Sequence, residues 1–130
     1  RDLFRAEIER ASQRAAPAAH CVASLSYVYD RDELDVARHL SALHHDHHDL
    51  VVSSLQVPLD HQFRMETLAL RGKASAVRSF ADSLCALRGV RHGSLNLISV
   101  ELHQRHRHEA EEGARGAGAT APHLHLRPAH

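Results

Sequence analysis

The stretch Leu50-Val51-Val52-Ser53-Ser54-Leu55-Gln56-Val57-Pro58-Leu59, followed by Asp60-His61 and then by Phe63 to Leu70, decides the fold. Val51, Leu55, Val57 and Leu59 fall on one face of an extended chain, and the segment from Phe63 runs as a second strand. The short polar connection at Asp60-His61 makes the pair a β-hairpin. Pro58 has no N–H to give to a ladder, so the first strand is expected to end at a sheet edge or beyond its pairing.

Upstream of the hairpin, Val22, Tyr27, Val28 and Tyr29 favour a strand over Cys21 to Tyr29. Asp30 to Asp32 then turns the chain into a helix whose buried stripe is Leu34, Val36, Ala37, Leu40 and Leu43. Downstream, Gly72 closes the hairpin, and Ala74 to Arg88 is a second amphipathic helix with core positions Val77, Phe80, Ala81 and Leu84. Gly89 stands where a helix stop belongs. Leu95 to Val100, apolar on both faces at Leu97 and Ile98, reads as a central strand. The order β-α-β-β-α-β predicts an α+β, ferredoxin-like (ACT-like) sandwich, with both helices on one face of an antiparallel sheet. Apolar residues on both faces of several strands predict that another copy covers the free face, so a homo-oligomer is expected.

Four segments follow from the changes in composition. Residues 1–14 read as a helix joined partway, with Leu3, Phe4, Ile8 and Ala11 at helical spacing. Residues 15–20, around Pro17, read as a linker. Residues 21–102 form the α+β domain, and 103–130, rich in Gly, Ala, Arg, Glu and His without periodicity, read as a disordered tail.

Sixteen basic and sixteen acidic residues cancel, which argues against a cationic groove for nucleic acid within this segment. No stretch resembles a membrane span or a signal peptide, and a cytoplasmic setting is expected. Cys21 and Cys85 form no metal or redox spacing. Cys85 falls on the core side of its helix and reads as an inert buried thiol. No nucleophile, base and acid stand at a readable spacing, so the chain is not read as an enzyme. Glu66, like Asp49 and Asp82, reads as a surface ion-pair partner for Arg71, Arg88 or Arg91.

The outlier is histidine, fourteen of 130 residues, four of them in His44-His45-Asp46-His47-His48. That bias points to transition-metal chemistry, although histidines at a helix end also answer the helix dipole. At about 100° per residue, His44 and His47 continue the Leu40/Val36 stripe while His45 and His48 turn to its flank. His45 and His48 are the leading candidate ligands, with His47 and His61 behind them; Asp46 or His61 from another chain would complete a tetrahedral or octahedral set. Such a site would admit nickel, zinc or cobalt without strong discrimination. His92 is expected to serve the turn into the last strand, and the tail histidines to act as flexible chelators or as plain solvated residues.

Five stretches together carry a resemblance: Leu25-Ser26-Tyr27-Val28-Tyr29, the histidine cluster running into Asp49-Leu50, Leu70-Arg71-Gly72, Phe80-Ala81-Asp82, and Arg88-Gly89-Val90-Arg91-His92-Gly93. Over residues 25 to 102 the chain resembles the regulatory domain of the nickel-responsive repressors known as NikR. Asp2-Leu3-Phe4-Arg5 is similar to the middle of the second helix of that family's ribbon-helix-helix domain. The resemblance implies a metal-responsive, DNA-binding transcriptional regulator with a tetrameric core, reaching DNA through an N-terminal domain that lies mostly upstream of Arg1. It also implies a planar nickel site made by a strand His-x-His, a cysteine six residues on, and a helix histidine of a neighbouring subunit. The matching positions here are Gln56-Val57-Pro58, Arg64 and His45. Of these only His45 is a usual ligand, because an amide, a proline ring and a guanidinium cannot replace two imidazoles and a thiolate. Two alternatives stay open: an oligomerisation module that has lost nickel sensing, and a His-rich metal-storage protein.

Overall fold

The structure, a computed structural model, describes residues 16–103 and 125–129. The helix and ribbon-helix-helix domain expected over residues 1–14 lie outside the described residues. Seven elements follow in chain order: β1 (His20–Asp30), α1 (Leu34–Asp46), β2 (Val51–Pro58), β3 (Phe63–Lys73), α2 (Ala74–Cys85), β4 (Val90–His103) and β5 (His125–Pro128). The strands make a five-stranded sheet in the order β2-β3-β1-β4-β5. Every pairing is antiparallel. The first six elements are the expected ferredoxin-like β-α-β-β-α-β.

Period-two burial decides which face meets the helices. Cys21, Ala23, Leu25, Tyr27 and Tyr29 of β1 are buried, and so are Glu66, Leu68 and Leu70 of β3 and Leu97 of β4. In register Leu25 lies between Leu68 and Leu95, and Ala23 between Leu70 and Leu97, so these side chains form one continuous surface. Val36 and Leu40 of α1 and Val77, Phe80, Ala81 and Leu84 of α2 close over it. Leu34, expected in the α1 stripe, is instead 68% exposed. It opens the first turn, where the helix has not yet reached the sheet.

The connections are built from polar side chains and from one glycine. The Asp30 carboxylate accepts the N–H of Asp32 and the side-chain amide of Gln62, which joins the entry of α1 to the β2–β3 turn. Within that turn the Asp60 carboxylate accepts the N–H groups of Gln62 and Phe63, and these bonds hold it below the usual carboxylate range. Gly89 has φ +94, and a Cβ there would run into the Val36 side chain. The chain can therefore pass this close to α1 only without a side chain. The segment expected as a linker is tied down over its described part, since Ala19 and Pro17 carbonyls accept the N–H groups of Ala74 and Ser75 at the start of α2.

Four expectations are corrected. β4 runs from Val90 to His103 and pairs with β1 on one side but with β5 only over Val100 to His103. The β1 pairs stop at Ser99 where the β5 pairs begin, so no residue of β4 is paired on both sides, and Ile98 is 45% exposed on the free face. Residues 125–128 are not a disordered tail but a strand, whose backbone groups complete the β4 edge; Ala129 N–H adds a bond to the Ser99 carbonyl. His92 serves a bulge rather than a turn: two residues, His92 and Gly93, stand opposite the single Tyr27 where the β1–β4 register shifts, and His92 takes φ 55. Cys85 is exposed, lying over Gly93, whose missing side chain makes room for its sulfur. Desolvation still raises both thiols, Cys21 and Cys85, above their ordinary range, so neither is an activated nucleophile.

Glu66 is the buried charged residue of the core, at 3% exposure, not the surface ion-pair partner its residue type suggests. Tyr27, its cross-strand neighbour, donates its hydroxyl to Oε1. Burial first, then this bond and the carboxylate's charge, push the Tyr27 phenol far above its ordinary range, so it stays a neutral donor. Tyr27→Phe leaves a buried acceptor short of a partner and should lower stability in urea by about 1–3 kcal/mol. Gly89→Ala should cost about 1–2 kcal/mol in the same measurement, because alanine must adopt left-handed backbone against Val36.

Candidate metal centre

The cluster His44 to His48 is split by the end of α1. The helix closes at Asp46, and His47, at φ −124 and ψ 32, leaves helical geometry. His44 and His47 turn inward, as their spacing suggests. The His47 ring packs on Phe80 with centroids 5.0 Å apart, and the His44 ring lies 6.4 Å from the same side chain. His47 Nδ1 donates to the Leu43 carbonyl at 2.9 Å. His47 is thus a half-buried capping and packing residue. His45 and His48 are exposed. His48 has passed beyond the helix, and its Nδ1 donates to the His45 carbonyl at 3.1 Å. A carbonyl can only accept, so this bond selects the tautomer whose Nε2 lone pair faces outward. Metal-bound imidazoles are commonly oriented by the same bond.

His61 is exposed in the β2–β3 turn. The eight residues of β2 separate that turn from the histidine cluster, roughly 25 Å of strand. His61 therefore does not join His45 and His48 within one chain. Among the described residues no three or more of His, Cys, Asp and Glu come together as a metal-holding group. Any site using His45 and His48 needs ligands from another chain.

Gln56, Pro58 and Arg64 do come together, on the helix-facing side of the hairpin. Register places Pro58 opposite Arg64 and Gln56 opposite Glu66. The expectation that Pro58 marks an edge holds, since β2 is the outer strand and Pro58 its last residue. Arg64 and Gln56 form a hydrogen-bond chain with Glu66. Arg64 donates to Gln56 Oε1 at 2.7 Å, and Gln56 Nε2 donates to Glu66 Oε2 at 2.6 Å. Beyond Glu66 the chain continues to Tyr27 and to His44, whose Nε2 is 3.6 Å from Glu66 Oε1 and 3.4 Å from the Tyr27 hydroxyl. Residue type alone did not mark Glu66 as part of this group. The signal that could have found it is its phase: it is two residues from Leu68 and four from Leu70, on the buried side of the alternation.

Comparison with known proteins places this geometry in a family. The model of the NikR C terminal nickel binding domain matches residues 22–98. A nickel-responsive regulator of Edwardsiella ictaluri (strain 93-146) is 44% identical over 98 residues, 75% of this chain and 68% of the relative. A nickel-responsive regulator of Brucella abortus biovar 1 (strain 9-941) is 42% identical over 100 residues, 77% of this chain and 76% of the relative. Both relatives carry the name of a nickel-responsive regulator. The match covers both helices, the hairpin and most of β1 and β4, and the chain belongs to the family of the NikR C terminal nickel binding domain.

Proposed function

We propose that this chain is the effector-binding and oligomerisation domain of a cytoplasmic, metal-responsive DNA-binding transcriptional regulator whose planar nickel site is altered, with metal held by His45 and His48 together with ligands from a second copy. The observation that carries the reading is the pair of exposed imidazoles at the end of α1, one of them with its Nε2 lone pair turned outward by the bond to the His45 carbonyl. Imidazoles without a thiolate suit zinc and cobalt as well as nickel. Residues 1–14 would close the DNA-binding domain of such a regulator.

Assembly is supported by the free face of the sheet. Leu55 at 64%, Val57 at 36% and Ile98 at 45% exposure lie on the side away from the helices, beside Val22 and Met65. Covering that surface with a second copy would bury apolar area now in water, and a tetramer is the assembly that the family resemblance implies. Metal would act by differential affinity: an ion held between chains favours the arrangement that brings His45 and His48 to their partner ligands, and so sets the spacing of the attached DNA-binding domains.

A second reading has its own observation. The Arg64–Gln56–Glu66 chain fills with hydrogen bonds the positions where the family resemblance requires imidazoles and a thiolate. It supports an oligomerisation module that keeps its shape without nickel. Titration of nickel, zinc and cobalt into the wild-type chain and His45→Ala, read by native mass measurement, separates the readings. Ion binding per oligomer that is lost in His45→Ala supports the sensor. No binding to either protein supports the nickel-deaf module. Binding of many ions that disappears when residues 103–130 are deleted supports storage and overturns both.

A further inference from the structure

We infer that the end of the sheet where β1 begins carries a binding site for a small phosphomonoester, with Arg71 and Lys73 on its phosphate and Asp49 on a hydroxyl of its organic part. A cavity of ≈ 380 Å³ opens there, lined by His20, Arg71, Gly72 and Lys73 of the sheet and by Asp49 and Leu50 before β2. Small-molecule sites run from about 300 to 1,000 Å³, so the volume is sufficient. Register gathers the basic residues. His20 lies opposite Lys73, and Arg71 is two residues before Lys73 on the same side of β3. Such neighbours stand roughly 5 Å apart across strands and roughly 7 Å apart along one, within reach of a single anion for side chains of this length. Gly72 leaves room for Leu50, whose Cδ2 is 2.7 Å from where a Cβ would stand, and the buried Leu50 gives the cavity an apolar wall.

Charge selects the kind of ligand. Neither Arg71 nor Lys73 makes an ion pair with Asp49, although all three line the same cavity. Two cations against one carboxylate leave an excess of positive charge, which attracts an anion and repels a metal ion. A guanidinium offers paired N–H donors in one plane and an ammonium offers a point charge, and both are phosphate-binding groups. The His20 imidazole adds an N–H donor in either tautomer. A phosphate fills only part of the volume. Asp49, a strong acceptor, would repel the phosphate and favour hydroxyl hydrogens, so the organic part is a short polyol rather than a hydrocarbon chain. Such a ligand also steadies the way into the domain, because Ala74 and Ser75, which follow Lys73, hold the Ala19 and Pro17 carbonyls of the incoming segment.

Glycerol 3-phosphate and inorganic phosphate are each titrated at constant ionic strength into the full chain, Arg71→Gln/Lys73→Gln, Asp49→Ala and the control Arg88→Gln/Arg91→Gln, with binding read by calorimetry. All the substituted side chains are exposed, and circular dichroism verifies that each variant is folded. The wild type is expected to bind glycerol 3-phosphate saturably and more tightly than inorganic phosphate. Affinity for both should fall about tenfold or more in Arg71→Gln/Lys73→Gln, since a hydrogen bond to a charged group is worth about a factor of ten or more. It should stay unchanged in Arg88→Gln/Arg91→Gln. Asp49→Ala should remove the preference for glycerol 3-phosphate while still binding inorganic phosphate. Absence of saturable binding to the wild type overturns the site, and so does an equal loss in Arg71→Gln/Lys73→Gln and Arg88→Gln/Arg91→Gln, which marks attraction to positive charge in general. A preference for glycerol 3-phosphate that survives in Asp49→Ala overturns the role given to Asp49.

Discussion

A carboxylate buried at 3% exposure in the middle of β3 organises the helix-facing side of this domain. An ionised side chain out of water is tolerated only when its lone pairs are met, and here the partners come from three further elements: Tyr27 on β1, Gln56 on β2 and His44 on α1. The same contacts that satisfy Glu66 thereby tie the hairpin, the central strand and the first helix together. Register makes this possible, because Gln56, Glu66 and Tyr27 lie side by side in one row across three strands. The histidine-rich end of α1 rests on that row through His44 and on Phe80 of α2 through His47. His45 and His48 are left outside.

The sheet is unequal on its two faces. One face holds the core, with both helices closed over it. The other presents polar pairs such as Ser26 and Thr67, whose hydroxyls bond at 2.9 Å, beside exposed Leu55 and Ile98. A mixed surface of that kind suits an interface between folded copies, which need specificity from polar pairs as well as apolar area. Under the proposed reading the cluster at the end of α1 would complete its metal set across chains, which would link metal affinity to assembly.

Much of this was legible in the residues. Alternation over Leu50 to Leu59, helical spacing at Val77, Phe80, Ala81 and Leu84, and the stop at Gly89 mark out the six elements of the fold, because burial on one face imposes period two on strands and near-four on helices. The inward turn of His44 and His47 followed from the same rule. β5 was not legible: His125-Leu126-Arg127-Pro128 has too little apolar alternation to announce a strand, and it is set by backbone pairing with the β4 edge. Cys85 misled because its helical phase points inward, yet as the last residue of α2 it is exposed, with its sulfur seated over Gly93.

The linear chain by itself determined the order of elements, most of the core and the family, since each depends on residue type and local spacing alone. Tertiary structure decided which polar side chains meet. Arg64, Gln56, Glu66, Tyr27 and His44 span β1, α1, β2 and β3, and hydrogen bonds among them exist only where sheet register and helix packing bring their polar atoms within reach. Distance between side chains from separate elements is a property of the packed fold, and no pattern along the chain encodes it directly.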